Sequence, residues 1–399
     1  MIQIRAVTYN LSADPTSEHF DVIGRANSLW SLQNYFIRTY RVSLVPFNKP
    51  VSIDYFKKIN ELCNKCDVRW FNVPLDPWGT ENKRELFEFG YNVLKNYRQS
   101  FVNINCVKNG KFNSDTIDRS VRLIKKVSTI SNNGDANFRL GISGNIGYDC
   151  PFFPFSMSSG KFSFSIALEL TQEINRIVAN MHKKDLLFLR NQIISTIEPQ
   201  IDEIYNYAQK ISKETGLQFD GFDFSLAPII DQDGSVIPIL RKMGVDEFGQ
   251  TGTMFATAYL TNILKFFAKQ FPSVGFSGVM YSLLEDLELC RINNEKGVKI
   301  EDLIKLSTMC GCGIDMVPVT ADITDSQLRT AIIEIGGISS RLQKPLGIRF
   351  LPIPRSKLGE KVYTDFNEDA DFIANTRVLS LGDNSISDFG ADTFKFLSI

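Results

Sequence analysis

Apolar and polar positions along this chain follow two different periods. Short runs that are apolar throughout, or apolar at every second residue, read as strands. The stretches between them repeat their apolar residues every three or four positions and read as amphipathic helices. In the first half the pattern predicts strands at 2-9, 40-47, 67-73, 101-107 and 137-143, with helices near 19-36, 51-65, 81-97 and 114-128. In the second half it predicts strands at 162-169, 217-227, 276-282, 314-319 and 346-353, with a long helix near 184-213 and another at 325-342. Ser52, Thr80 and Ser114 stand where helix starts need a capping oxygen. Strands and helices alternating in order predict parallel βα units rather than a bundle or a sandwich, here as five strands plus five.

A loop separates the two halves, 1-143 and 162-354. Its residues 144-161 include Pro151-Phe-Phe-Pro154 and Phe155, and two prolines with three phenylalanines must bury against something. The loop is therefore expected to fold over the end of a sheet or barrel, beside a pocket. Residues 355-399 carry scattered aspartates, show no clean period and are expected to form a packed irregular tail on a single α/β domain.

With 399 residues, 43% of them hydrophobic and 22% charged, the chain can bury a sizeable core, and its net charge of -1 gives no reason to expect nucleic acid or an anionic membrane as partner. Seven scattered cysteines, an odd number, suit a reducing compartment better than a disulfide framework. The chain opens as a strand, without the basic, apolar and small-residue order of a secretory signal, and no run approaches the ~18 apolar residues of a membrane span. The expectation is a cytoplasmic protein, as a homo-oligomer with a dimer as the default, that binds a small molecule.

The densest concentration of chemistry is Cys310-Gly-Cys-Gly-Ile-Asp-Met-Val-Pro318. Gly311 and Gly313 allow a sharp bend between a helix and a strand. Cys310 and Cys312, with Asp315, are the candidate catalytic residues: a thiolate there would be a nucleophile or redox centre if a cation lowered its pKa. The competing reading makes the two thiols small buried fillers. Glu169, Asp223, Glu247, Glu285, Asp286 and Asp315 stand near strand ends or glycine-rich turns, where barrel sites are built. Were they to converge, Glu247, Glu285 and Asp286 would hold Mg²⁺ or Ca²⁺, and Glu169 and Asp223 would line the ligand; otherwise they cap helices and backbone turns. Thr251, Gly252 and Thr253 open a helix and offer N–H groups to an anion, or form a plain cap. Arg139 and Arg349 lie in apolar strands and need an acid or an anionic ligand as partner, as do Arg5 and Arg41 with less weight. His19 and His182 are expected at the surface.

Several of these stretches together resemble a family of unknown function labelled "PFL family protein". They are Ile4-Arg-Ala-Val-Thr8, Asn137-Phe-Arg139, Pro151-Phe-Phe-Pro154, Phe164-Ser-Ile-Ala-Leu-Glu169, Asp223-Phe-Ser-Leu-Ala-Pro228, Glu247-Phe-Gly-Gln-Thr-Gly-Thr253, Gly275-Phe-Ser-Gly-Val-Met280, Leu284-Glu-Asp286, the Cys310 to Pro318 turn and Lys344-Pro-Leu-Gly-Ile-Arg-Phe-Leu-Pro352. The resemblance implies a barrel similar to pyruvate formate-lyase, with two five-stranded parallel halves set antiparallel and ten strands closed around an inserted loop. It implies no radical chemistry. Glycyl radical enzymes store the radical in an Arg-Val-x-Gly-Tyr-like setting, whereas Gly382 and Gly390 here lie in Leu-Gly-Asp and Phe-Gly-Ala. Relatives place a histidine after the Phe-Phe-Pro segment; Ser158 and Ser159 stand there in this chain, so no acid/base role carries over. Two function classes follow: an enzyme acting on a small polar or anionic metabolite, and a non-catalytic binding or scaffold protein.

Overall fold

A computed structural model describes residues 2–33, 35–181, 185–231, 233–362, 375–387 and 393–396. The strands are β1 (Gln3–Asn10), β2 (Ile37–Ser43), β3 (Trp70–Leu75), β4 (Ser100–Lys108), β5 (Lys111–Asn113), β6 (Leu140–Gly144), β7 (Ser163–Glu169), β8 (Gln218–Asp223), β9 (Gly313–Val319), β10 (Leu346–Pro352) and β11 (Thr393–Lys395). They form one 11-stranded sheet, ordered β8-β7-β1-β2-β3-β4-β6-β10-β9, with β5 and β11 as a short appendage on β4. Strands β1, β2, β3, β4 and β6 are mutually parallel. The second half supplies the parallel pairs β7 with β8 and β10 with β9, which join the first half antiparallel at β1/β7 and β6/β10.

The helices are α1 (Ser17–Ser31), α2 (Ile53–Lys65), α3 (Lys83–Asn96), α4 (Ser114–Val127), α5 (Leu170–Ala179), α6 (Leu186–Thr215), α7 (Ile237–Lys242), α8 (Thr253–Gln270), α9 (Leu287–Glu295), α10 (Ile300–Leu306) and α11 (Asp325–Leu342). The starts of α2, α3, α4, α6, α9 and α11 follow side-chain oxygens that accept otherwise unpaired N–H groups. Ser52 caps α2 as expected. For α3 and α4 the caps are Asn82 and Asn113 rather than Thr80 and Ser114, Thr80 instead holding the Asn82 N–H. His19 is half-buried and closes a capping box with Thr16 at the start of α1. His182, Gly390 and most of the tail aspartates lie outside the described residues. Among the described residues, no helix is long and apolar enough to cross a membrane.

The ten-stranded barrel expected above is not what the hydrogen-bond ladder forms, because the ladder does not close between β8 and β9. The segment 272–283, expected as a strand over 276-282, runs between these two edges without becoming one. On one side Phe222 N–H donates to Pro272 O at 2.9 Å and Met280 N–H to Leu226 O at 3.0 Å; on the other Gly311 N–H donates to Val279 O at 2.7 Å and Leu283 N–H to Asp315 O at 3.1 Å. Isolated parallel bridges join Phe222 with Ser273, Leu226 with Val279 and Ser282 with Asp315. Gly275 and Ser277, at φ 74° and 47°, break the extended backbone between them. The Asp223 carboxylate takes the N–H groups of Phe276 (2.7 Å) and Ser277 (3.1 Å) that a regular strand would give to its neighbour.

Residues 144–161 pass along the inside of the sheet. Thr8 Oγ1 donates to Pro151 O at 3.1 Å, Asn72 Nδ2 to Ser156 O, and Ser158 N–H to Leu44 O at 3.0 Å, so β1, the β2–α2 connection and β3 all grip the loop. Phe155 lies where a Cβ at Gly141 or Gly347 would overlap its ring, which is why neighbouring β6 and β10 carry glycine there. Replacing Gly347 by alanine is expected to cost about 1–3 kcal/mol in urea unfolding, and adding Phe155→Leu should recover part of that loss; no recovery would mean the ring is not what the methyl meets.

Candidate functional site

The loop phenylalanines and the strands enclose a cavity of about 30 Å³, lined among others by Arg5, Arg41, Trp70, Phe101, Phe138, Phe152, Phe153 and Phe155, with Ser282, Glu285, Cys312, Asp315 and Arg349. By the space one water needs, this volume holds about two water-sized groups. Its walls come from β1, β2, β3, β4, β9 and β10, so both halves of the chain meet at it.

Three guanidinium groups face this space, each in a different electrostatic situation. Arg349 forms a bidentate pair with Asp315, its Nη2 at 2.7 Å from Oδ2, and reaches Glu285 at 3.3 Å. Burial works against its charge, but Asp315 and Glu285 outweigh burial and hold the guanidinium above its ordinary pKa. Arg5 pairs with Glu169 at 3.2 Å and donates to Pro228 O at 2.9 Å. Glu169 also meets Arg38 at 3.6 Å, and its pKa is raised by burial against the pull of both arginines. Arg41, only 4% exposed, makes no ion pair among the described residues. It donates to Thr39 Oγ1 at 2.9 Å and to Pro151 O at 3.4 Å, and lies between the Trp70 and Phe153 rings at 5.1 and 5.3 Å. Burial, followed by repulsion from Arg5, pushes it down to about 9, so it stays charged at neutral pH.

The thiol turn stands in the wall of this cavity. Its path is fixed by backbone contact: a Cβ on Gly311 would overlap Gly278, and a Cβ on Gly313 would overlap the Gly347 carbonyl, at a φ of 91° that glycine tolerates. Cys312 faces the cavity, whereas Cys310 lines a groove on the other side. All seven cysteines are free and buried. The adjacent Cys312 thiol, then the nearby Lys344 ammonium, draw the Cys310 thiol down against burial, while Cys310 and burial push Cys312 up; Cys312 Sγ itself lies 3.8 Å from the Gly313 carbonyl oxygen.

Of the expected residues, the structure therefore brings Arg349, Asp315, Glu285 and Cys312 to one cavity, with Glu169 behind Arg5. It separates the others. Glu247 is a surface residue paired with Lys296 at 2.6 Å. Asp286 is buried as the cap of α9, accepting from Leu289 N–H at 3.0 Å and Val236 N–H at 2.9 Å. The set Glu247, Glu285 and Asp286 does not converge, and no three acidic, cysteine or histidine side chains among the described residues are grouped to hold a metal ion. Asp223 is bound by the backbone of Ser225, Phe276 and Ser277. Arg139 sits in a 3-10 turn, Asp135–Arg139, rather than a strand, and donates to the carbonyls of Leu94, Tyr97 and Ser100. Gly252 caps α8 with Thr251 exposed and Thr253 buried beside it. The weight of Arg41 was missed, as were Trp70, Phe101 and Phe138; the available signal was a charge alternating with apolar residues on a strand that borders an aromatic loop.

One inward step along the same strands lies a layer of short polar side chains. Asn10, Ser43 and Asn72 are paired in register on β1, β2 and β3, and Asn103 follows Phe101 on β4. Among the described residues, Asn10 Oδ1, Ser43 Oγ, Asn72 Oδ1 and Asn103 Nδ2 are buried without a hydrogen-bond partner, as are Ser156 Oγ and Ser165 Oγ. Such atoms are rare in folded proteins.

The profile of a family described as "Uncharacterised ACR (DUF711)" matches residues 3–367. A UPF0210 protein of Pyrobaculum arsenaticum is 25% identical over 255 residues, 62% of this chain and 55% of that protein. The UPF0210 protein of Carboxydothermus hydrogenoformans is 27% identical over 275 residues, 65% of this chain and 59% of that protein. One from Methanosarcina barkeri is 22% identical over 414 residues, 98% and 88% of the two chains. The chain thus spans less than two thirds of the length of the Pyrobaculum relatives it matches.

Arg349 and Arg41 should differ in what their removal costs. Arg349→Met strands Asp315 and Glu285 and is expected to cost about 3–5 kcal/mol in urea unfolding. Arg41→Met removes an unbalanced charge and two ring contacts together, so its cost should stay within about 1 kcal/mol. Equal losses for both would show that Arg41 is balanced inside the protein.

Proposed function

Since the chain belongs to the DUF711 family of uncharacterised proteins, we propose from its own geometry that it binds a small carboxylate inside a barrel related to that of pyruvate formate-lyase. In this reading 1-143 and 162-354 are half-barrels of one domain and the kinked segment 272–283 is the tenth stave. Support comes from the two antiparallel seams and from the hydrogen bonds this segment makes to both sheet edges.

The observation that carries the ligand class is Arg41, a buried guanidinium at a cavity whose two acids are both held by Arg349. An unpaired buried charge is costly, and a bound anion offsets that cost. The ring faces around Arg41 match a flat ligand, the guanidinium fork matches a carboxylate, and the small cavity volume favours the smallest carboxylates, of one or two carbons. The unpartnered polar layer beside it adds hydrogen-bonding capacity for a ligand with a polar extension. Ligand binding is the primary reading. A chemical step on the bound carboxylate is the second, favoured by Cys312 in the same wall, a thiol that keeps its proton and can donate it.

Thermal unfolding in formate, acetate, bicarbonate or malonate, against chloride at equal ionic strength, tests the binding. A saturable rise in Tm is expected for one or more of these anions, reaching about 2.7 kcal/mol of stabilisation at a hundred times Kd, and it should vanish in Arg41→Met. The reading fails if no anion gives a saturable rise or if the variant keeps it.

A further inference from the structure

On its outer side the thiol turn opens on a groove of about 310 Å³ between α8 and the residues that follow α10, lined among others by Thr261, Lys265, Phe276, Thr308, Cys310 and Lys344. Its two charged side chains are both cations, and no aspartate or glutamate lines it. Lys265 Nζ is fixed on Phe276 O at 2.8 Å, while Lys344 Nζ is fixed on Cys310 O at 2.6 Å and Thr308 O at 3.1 Å. Neither lysine forms an ion pair among the described residues. Like charges fixed near each other on carbonyls, with the buried Asp223 carboxylate acting on Lys265 from behind the groove, make a local positive field at the groove that attracts an anion. Cys310 lies in this groove, is otherwise buried, and has Cys312 and Lys344 beside it.

We propose that this groove is a second site, distinct from the cavity at Arg41, which takes a small anionic electrophile: the carboxylate or phosphate of the ligand rests on Lys265 and Lys344 while Cys310 attacks its reactive carbon. In the displacement the Cys310 Sγ lone pair forms the S–C bond, and the bond from that carbon to the leaving group breaks and takes its electron pair with it. Cys310 attacks as the thiolate, its proton having passed to solvent beforehand, so the step is a plain substitution and no oxidant, reductant or further reactant is required. Lys344 also holds the turn itself, through the carbonyls of Thr308 and Cys310. The cation that recruits the anion therefore also positions the thiol.

Iodoacetate and iodoacetamide separate charge recruitment from plain thiol reactivity, since they place the same carbon and leaving group beside a carboxylate or a neutral amide. Peptide mapping of the intact protein treated with each, with glutathione as the free-thiol reference, gives a rate ratio for Cys310. At Cys310 the ratio of iodoacetate to iodoacetamide rates is expected to exceed that of glutathione by about tenfold. It should fall toward the glutathione value in Lys265→Met and survive in Lys344→Arg, which keeps the charge and the hold on the turn. A wild-type ratio equal to that of glutathione, an unlabelled Cys310 when Cys66 is labelled, or a ratio unchanged in Lys265→Met would each overturn the proposal. The Tm response to small carboxylates is read without any alkylating agent, so failure at this groove and failure at Arg41 are seen separately.

Discussion

A loop that runs inside a curved sheet takes its own N–H and C=O groups away from water, and each then needs a partner that is not a strand ladder. That constraint shapes the inner face of this protein. Thr8, Arg41 and Asn72 point inward to hold loop carbonyls, and these are short or forked polar side chains where a sheet covered on both faces would ordinarily carry valine or isoleucine. The space the loop takes must also be surrendered by the strands, which is the reason for glycine at 141 and 347. Once the loop is seated, its aromatic side chains close over the arginine layer and set the small volume of the cavity. The site is thus a by-product of filling the interior with chain rather than with side chains.

The order of strands and helices was legible because nearly every strand is buried on both faces and reads as an apolar run, while the helices show one apolar stripe. Helix α11 lies where its period placed it, over 325–342. The appended strands β5 and β11 are three residues each, too short to carry a period. The failure at 276-282 has a different cause. Gly-Phe-Ser-Gly-Val-Met is apolar enough for a strand, yet a single remote carboxylate, Asp223, bends it by taking two of its N–H groups. No local pattern announces a bond of sequence separation 53.

The same distinction governs the site. Acids near strand ends were visible one by one, but whether they converge depends on register, and register sent Glu247 to a surface lysine and Asp286 to a helix start while leaving Glu285 and Asp315 on Arg349. A carboxylate has two ways to be stable when buried, a cation or a set of N–H donors, and this fold uses both within two residues, at Glu285 and Asp286. Arginine lacks the second option, since it only donates, and main-chain carbonyls satisfy its hydrogens without cancelling its charge. Arg41, held within the cavity by the Thr39 hydroxyl and the Pro151 carbonyl, leaves a charge that a ligand can use.

The wall between the cavity and the outer groove is only as thick as the backbone at Gly278 and Gly311, whose α-carbons meet without intervening side chains. Two thiols this close to each other do not titrate independently. Any event that removes negative charge from Cys310, whether alkylation or protonation, removes one of the causes that push Cys312 up and leaves burial and Asp315 in place. Cys312 also stands near Arg349 and Asp315, and the electrostatic interaction between Cys312 and Arg349 carries that change to the arginine layer. A glycine-only contact is the narrowest partition a polypeptide can build. Placing one cysteine on each side of it sets two thiols of a single turn in two different surroundings without moving a strand.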